Sequence, residues 1–431
     1  MAASGATTTT RAACVGLFSR GGVASLRHWH TLITLSSPIK PIKPTFLRVA
    51  VRRHASVRSE APRQEGSLRT VGPHKVVFLG TPDVAATVLS KLLSESKDSQ
   101  KQYQVVAVAT QPGRPKGRNR QVQPSPVELL ARSHGFDDDK ILCPQRATEP
   151  HFLEALQSIA PDLCVTAAYG NYLPTKFLSI PKYGTLNIHP SLLPAFRGAA
   201  PVQRALEQGV DTTGVTVLYT VKEMDAGPIL AQRSVPVPVD VQAPQLLHDL
   251  FVMGTDLLLE NLPSVWSGTV TQATALAQNA SAATHAAKVL KGEGELNFHQ
   301  PALFCHNKVR AFAGWPATFY NFQIINDSNN INNNNEKDEE KTDLSTLTVE
   351  LKILKTRVLA MEDEPLIPRP GTDCRDSEPP VIINCPDSRN RLLVRCGDGN
   401  ILEVLEVQAP GRRAVAVKDY LNGLKGKRLS I

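Results

Sequence analysis

Residues 184–200 read GTLNIHPSLLPAFRGAA, and the side chains in that run best suited to chemistry are Asn187 and His189. Leu186 and Ile188 alternate with them. A strand has a side-chain period of two, so this spacing predicts Asn187 and His189 on one face and the apolar pair on the other. Pro190 ends such a strand, because it supplies no ladder N–H and restricts the residue before it. Ser191, Leu192, Leu193 and Pro194 then form a turn. An amide beside an imidazole suits a carbonyl that becomes a tetrahedral oxyanion, since both groups donate hydrogen bonds to the developing charge. The same spacing also fits a strand end whose Asn and His cap the backbone.

The elements that must position these residues alternate between strand and helix. Lys75–Leu79 reads as a short apolar strand, followed by the turn Gly80-Thr81-Pro82-Asp83. A helix from Val84 to Leu93 follows, apolar at 84, 85, 88, 89, 92 and 93. Val105–Ala109, Leu163–Ala167, Thr185–His189 and Val215–Tyr219 read as strands, and Val127–Ser133 and Phe152–Ile159 as helices. This alternation predicts an α/β domain with an open, mostly parallel, Rossmann-like sheet. Ligands in such sheets bind outside the carboxyl ends of the strands. Gly80-Thr81-Pro82, Tyr169-Gly170 and Asn187 with His189 all sit at such ends. Gly80 stands alone, without a Gly-x-Gly-x-x-Gly fingerprint, so a dinucleotide-dependent dehydrogenase has weak support.

Leu246–Leu259 is a further amphipathic helix. The small, polar residues 267–283 read as an inter-domain linker. Ala317–Ile325, Leu347–Thr356, Leu392–Cys396 and Ile401–Val407 then read as short strands, with Asp398-Gly399 as a hairpin turn between the last two. They predict a small β-barrel as a second domain over 284–431. Residues 326–343, NDSNNINNNNEKDEEKTD, interrupt it with few apolar residues and a net charge of −4, as expected for a disordered surface insertion.

The 431-residue chain carries a formal charge of +8. Residues 1–74 hold nine Arg and two Lys against Glu60 and Glu65, a local charge of +9, which leaves −1 for the remainder. The basic character is therefore no evidence for RNA binding by the folded part. Residues 1–74, free of acid before Glu60 and rich in Ser, Thr, Ala and spaced Arg, have the composition of a mitochondrial presequence. A disordered basic arm touching RNA is the alternative. No apolar run reaches the length of a membrane span. The seven cysteines show no Cys-x-x-Cys spacing, so neither a disulfide framework nor a zinc site is expected. A reducing compartment such as the mitochondrial matrix fits them.

Asn187-Ile188-His189, Ser191-Leu192-Leu193-Pro194 and Arg197-Gly198-Ala199-Ala200-Pro201 together resemble the signature of the 10-formyltetrahydrofolate-dependent formyltransferases. Continued through FRGAAPVQR, the match is similar to the branch of that family acting on methionyl-tRNA. Phe78–Asp83, Thr110-Gln111-Pro112 with Arg114, Gly117 and Arg118, Ser125-Pro126-Val127, Ala168-Tyr169-Gly170 and Met224–Gly227 agree in order.

The resemblance implies a formyltransferase catalytic domain over 75–266 and an OB-like, tRNA-binding C-terminal domain. It implies transfer of the formyl group of 10-formyltetrahydrofolate to the α-amine of initiator methionyl-tRNA, with no metal, no membrane and a monomeric chain. Asn187, His189 and Asp225 would be catalytic. The residues alone divide the carboxylate role evenly between Asp225 and Glu223; the family position favours Asp225. Folate would lie against Ala168, Tyr169, Gly170, Ser191, Leu192, Leu193, Pro194, Met224 and Gly227. The acid-free stretch QPGRPKGRNRQVQ supplies Arg114, Lys116, Arg118 and Arg120 for the tRNA acceptor end, with Arg197 beside them. Arg412, Arg413, Lys418, Lys425, Lys427 and Arg428 form a second basic set. Enzymes formylating glycinamide ribonucleotide or sugar amines, and hydrolases of formyltetrahydrofolate, share the core motif. A non-catalytic RNA-binding module is the alternative from outside enzymology.

Overall fold

In the first strand Val76 and Phe78 are buried on one side and Val77 and Leu79 on the other, so the sheet that it belongs to is covered on both faces. The computed structural model describes residues 72–116, 120–326, 347–359, 380–383, 390–425 and 427–431. Residues 1–71 of the expected presequence, residues 327–343 of the Asn-rich insertion and the tip residues 117–119 lie outside the described residues, whereas His74, at the end of the expected presequence, already belongs to the first strand.

The elements of the first domain are β1 (His74–Gly80), α1 (Asp83–Glu95), β2 (Tyr103–Ala109), β3 (Arg114–Lys116), β4 (Gln121–Gln123), α2 (Pro126–Ser133) and β5 (Ile141–Leu142). They continue with α3 (Pro150–Ile159), β6 (Leu163–Ala167), α4 (Thr175–Leu178), β7 (Thr185–His189), β8 (Arg197–Gly198), α5 (Pro201–Gln208), β9 (Thr212–Tyr219), β10 (Ile229–Pro236) and α6 (Ala243–Trp266). The main sheet runs β10-β9-β7-β6-β1-β2-β5. Pairing is parallel from β7 through β5, whereas β9 pairs antiparallel with both β7 and β10. The expected mostly parallel sheet is present. Strand β10 was not anticipated, because its exposed edge residues alternate too weakly to mark a strand.

Helices α1, α2 and α6 cover one face of the sheet and α3 and α4 the other. Helix α1 needs no side-chain cap; Asp83 in its first turn complements the helix dipole. The chain passes outward from β1 to β2 and β5, then returns to β6 on the opposite side of β1. The order therefore reverses at β1, the place where open sheets of this kind form a ligand crevice beyond the carboxyl ends of their strands.

The second domain comprises β11 (His285–Ala286), α7 (Ala302–Ala311), β12 (Thr318–Asn326), β13 (Leu347–Leu359), β14 (Val381–Ile382), β15 (Leu392–Arg395), β16 (Ile401–Gln408), β17 (Val415–Ala416), α8 (Val417–Asn422) and β18 (Lys427–Ser430). Antiparallel strands in the order β14-β15-β16-β13-β12-β18 curl into a nearly closed barrel around Phe298, Phe322, Leu351 and Leu402. Helix α7, also unanticipated, turns His306, Asn307 and Arg310 inward toward the seam between the two domains. Among the described residues no helix is long and apolar enough to cross a membrane.

The expected linker 267–283 lies between the two halves of the fold and is held by hydrogen bonds. It is an ordered strap that crosses the first domain, bonded to Tyr219, Ile229 and the loop between β9 and β10. Its small residues allow the backbone to lie close against neighbouring strands, which a composition of this kind permits as readily as flexibility.

Candidate active site

The alternation in β7 has the predicted result. Leu186 and Ile188 enter the core, while Asn187 and His189 turn to the opposite side at the strand end. Thr166 on β6 pairs in register with Asn187 and donates its hydroxyl to Asn187 Oδ1 at 2.8 Å. That bond fixes the amide so that Nδ2 faces Asp225 Oδ1 at 3.5 Å. Of its two N–H groups, only one has a partner among the described residues.

His189 is buried, with both ring nitrogens facing oxygen. Nε2 lies 2.9 Å from the carbonyl of Phe196, and Nδ1 lies 3.6 Å from Asp225 Oδ2. A proton on either nitrogen thus meets an acceptor. Asp225 Oδ2 also accepts the Gly198 N–H at 2.9 Å. Glu223, the competing carboxylate, is exposed on the loop and makes no side-chain bond to this group. Of the two carboxylates, Asp225 is thus the one that stands beside His189 and Asn187.

Three non-glycine residues around the crevice have left-handed backbone: Ala168 (φ 47°), Phe196 (φ 61°) and Asp225 (φ 50°). Each such conformation costs on the order of 1–3 kcal/mol and persists only where the surroundings enforce it. Phe196 is held by Thr284, whose hydroxyl accepts the Phe196 N–H at 2.8 Å. The loop of Asp225 is held by a close approach: a Cβ on Gly227 would stand 1.7 Å from the Tyr219 carbonyl oxygen.

The expected folate residues lie in the segments that follow β6, β7 and β9. Ala168 and Gly170 are exposed on either side of buried Tyr169 after β6. Thr81, following β1, donates to the Tyr169 carbonyl at 2.9 Å and so ties two of the strand ends together. Ser191 is fully buried, its hydroxyl donating to Ala195 O at 2.7 Å, and it shapes the turn from within. Leu193 is buried, with Leu192 and Pro194 half-buried beside it, while Met224 is exposed.

The basic stretch forms a hairpin, β3 paired with β4, where a plain loop was expected. Arg114 donates to Gln111 Oε1, and Gln111 Nε2 reaches Tyr169 O and Asn171 Oδ1 at 3.4 Å each, which ties the hairpin base to the crevice. Arg120 is exposed next to the tip; Arg118 lies outside the described residues, as does the side chain of Lys116. Arg197, expected to face tRNA, directs Nε and Nη2 to Gln278 Oε1 at 3.0 and 2.6 Å. Arg412, Arg413, Lys418, Lys425 and Lys427 are exposed on the run from β16 to β18.

Sequence reasoning missed Thr166, Thr284 and Gln278, which hold Asn187, Phe196 and the Asp225 loop in place. No composition signal marks them, because each acts through one or two hydrogen bonds to groups distant in the chain.

A family model described as formyl transferase matches residues 74–260, and one described as formyl transferase, C-terminal domain, matches 288–425. Methionyl-tRNA formyltransferase of Methylococcus capsulatus is 36% identical over 357 residues, covering 82% of this chain and 99% of that protein. The enzyme of the same name from Enterococcus faecalis is 31% identical over 350 residues, covering 81% and 96%. Among solved structures, the sugar 3N-formyl transferase WlaRD, in the presence of dTDP and 5-N-formyl-THF, aligns over 79% of this chain and 99% of its own. Its TM-score is 0.50 at 16% identity, a likeness of fold.

Proposed function

This chain belongs to the methionyl-tRNA formyltransferase family, and from that premise we propose that it formylates methionyl-tRNA for translation initiation in the mitochondrial matrix. The donor is 10-formyltetrahydrofolate and the acceptor the α-amine of the initiator methionyl-tRNA. The observation that carries the reading is the convergence of Asn187, His189 and Asp225 at the carboxyl end of β7. The presequence-like composition of residues 1–74 supports the compartment.

The amine nitrogen forms a bond to the formyl carbon, and the bond from that carbon to N10 of the donor breaks. The free N–H of Asn187 donates to the formyl oxygen as negative charge develops there. His189 stabilises the same oxygen or carries the proton that the amine loses to the leaving nitrogen, its role set by its protonation state. Asp225 orients the ring and stabilises its cationic form. An α-amine titrates at roughly 7.7–8.0 in model peptides, so no strong base and no metal are called for. Main-chain groups at Ala168–Gly170, at Ser191–Pro194 and from Met224 to Gly227 border the donor. Arg114, Lys116, Arg118 and Arg120 on the hairpin meet the tRNA acceptor end, and the basic residues of the barrel meet its backbone. The enzyme acts as a monomer, with 75–266 carrying Asn187, His189 and Asp225 and 284–431 contributing tRNA binding.

Two measurements test this. The purified protein, given 10-formyltetrahydrofolate with methionyl-tRNA, glycinamide ribonucleotide or an amino sugar, is expected to formylate the tRNA alone. Residues 1–74 fused to a fluorescent protein are expected in mitochondria; diffuse cytosolic fluorescence overturns the compartment.

A further inference from the structure

The strap that follows α6 converges on both partners of His189. Tyr219 Oη donates to the Val270 carbonyl at 3.0 Å. Ile229 and Leu276 exchange two backbone bonds of 2.8 and 3.1 Å. Thr284 then fixes Phe196, whose carbonyl faces His189 Nε2. Between these anchors stands Gln278. Its Nε2 donates to the carbonyls of Asp225 at 2.8 Å and Gly227 at 2.7 Å, holding the left-handed loop on both sides of its turn. Its Oε1 accepts both bonds from Arg197, the residue before Gly198, whose N–H holds Asp225 Oδ2.

One amide therefore closes a ring that runs from the Asp225 main chain, through Arg197 and Gly198, back to the Asp225 carboxylate. Two donors and one acceptor on a single planar group are what a primary amide offers; a carboxylate lacks the donors and an ammonium lacks the acceptor.

We infer that Gln278 is a positioning residue for formyl transfer, setting the direction of the Asp225 carboxylate toward His189 without touching substrate. The inference rests on the reading that Asp225 and His189 serve the reaction. It also assigns Arg197 to this ring, in place of a tRNA contact.

The test is steady-state formylation of methionyl-tRNA by the full chain and by Gln278→Leu, Gln278→Glu, Asp225→Asn, Asp225→Asn with Gln278→Leu, and Gln272→Leu. Misplacement of a reacting group by about 1 Å costs up to about a hundredfold, so Gln278→Leu is expected to lower kcat by about ten- to a hundredfold. The KM for each substrate should stay unchanged. Gln278→Glu preserves shape and the acceptor for Arg197 but sets a carboxylate against two carbonyl oxygens, so it should lose as much. It also supplies the answer if the leucine variant fails to fold. In the Asp225→Asn background the leucine substitution should add little, because the group that it misdirects is already gone. Gln272 is exposed on the same strap, and Gln272→Leu should retain full activity. Wild-type kcat in Gln278→Leu or Gln278→Glu overturns the inference, as does full additivity with Asp225→Asn or an equal loss in Gln272→Leu. Failure of the underlying reading looks different: there Asp225→Asn itself keeps wild-type kcat.

Discussion

Asp225→Asn isolates the charge of the carboxylate from its shape. The amide oxygen of asparagine can still accept the Gly198 N–H, which stands 2.9 Å from Asp225 Oδ2, so the loop should keep its conformation. What disappears is the interaction with His189. The two side chains are 3.6 Å apart and only 5% and 15% exposed. At that distance and an effective dielectric of about 20, opposite unit charges attract by about 4–5 kcal/mol. That attraction is complete only while the imidazole is cationic; where His189 carries the proton of the amine, it belongs mainly to the transition state. If a dipole in place of the charge forfeits about 3–4 kcal/mol, then at about 1.4 kcal/mol per tenfold kcat falls by about 10²–10³. The assay is formylation of methionyl-tRNA under saturating formyl donor, with thermal melting and both KM values measured alongside. Unchanged KM and melting with the stated loss in kcat are expected. Near-wild-type turnover would refute the reasoning, and so would an equal loss in Glu223→Gln, whose side chain is exposed away from His189.

Arg118→Ala should severely impair formylation of methionyl-tRNA while leaving donor binding intact, because the donor borders other loops; unchanged activity on the tRNA would remove this residue from the interface. Arg114→Ala and Arg120→Ala should show smaller effects that shrink as salt is raised. Gly227→Ala sets a methyl group 1.7 Å from the Tyr219 carbonyl oxygen, so destabilisation of about 1–3 kcal/mol, with loss of activity from the displaced Asp225, should appear in melting and turnover. Burial holds the His306 imidazole below its usual value near 6.5, outweighing the acceptors Val239 O and Thr356 and the Asp240 carboxylate, while Arg310 adds to the depression. The unfolded chain then binds the proton first as pH falls. Stability is full above about 6.5 and declines below it, and His306→Gln should flatten that decline in melting scans between about pH 7 and 5.

The sequence was legible where side-chain burial dictates a period. The Leu186/Asn187/Ile188/His189 alternation located the polar face of β7 because the core on one side of the strand demands apolar residues at every second position. Helix α1 was legible for the same reason, and its bounds extended by only a residue or two at each end. Strand β10 was hidden because an edge strand needs few buried side chains. Helix α7 was hidden because the groups that it buries at the seam, His306 and Arg310 among them, are polar and satisfied by partners from the other domain. The residue types alone do not separate Asp225 from Glu223, because the difference lies in the backbone: the left-handed turn at 225 goes with one carboxylate beside His189 and the other in solvent.

The strap falls in the gap between the two matched regions, 74–260 and 288–425. A fragment ending at the first boundary would keep Asn187, His189 and Asp225 yet lack Gln278 and Thr284, the groups that hold the Asp225 loop and Phe196. A chimera joined at either boundary would inherit or discard these groups by accident of the cut. The unit that holds the Asp225 loop in this chain is thus longer than its sheet-forming unit, and dissection or module exchange has to carry residues up to at least 286, where β11 pairs with β8.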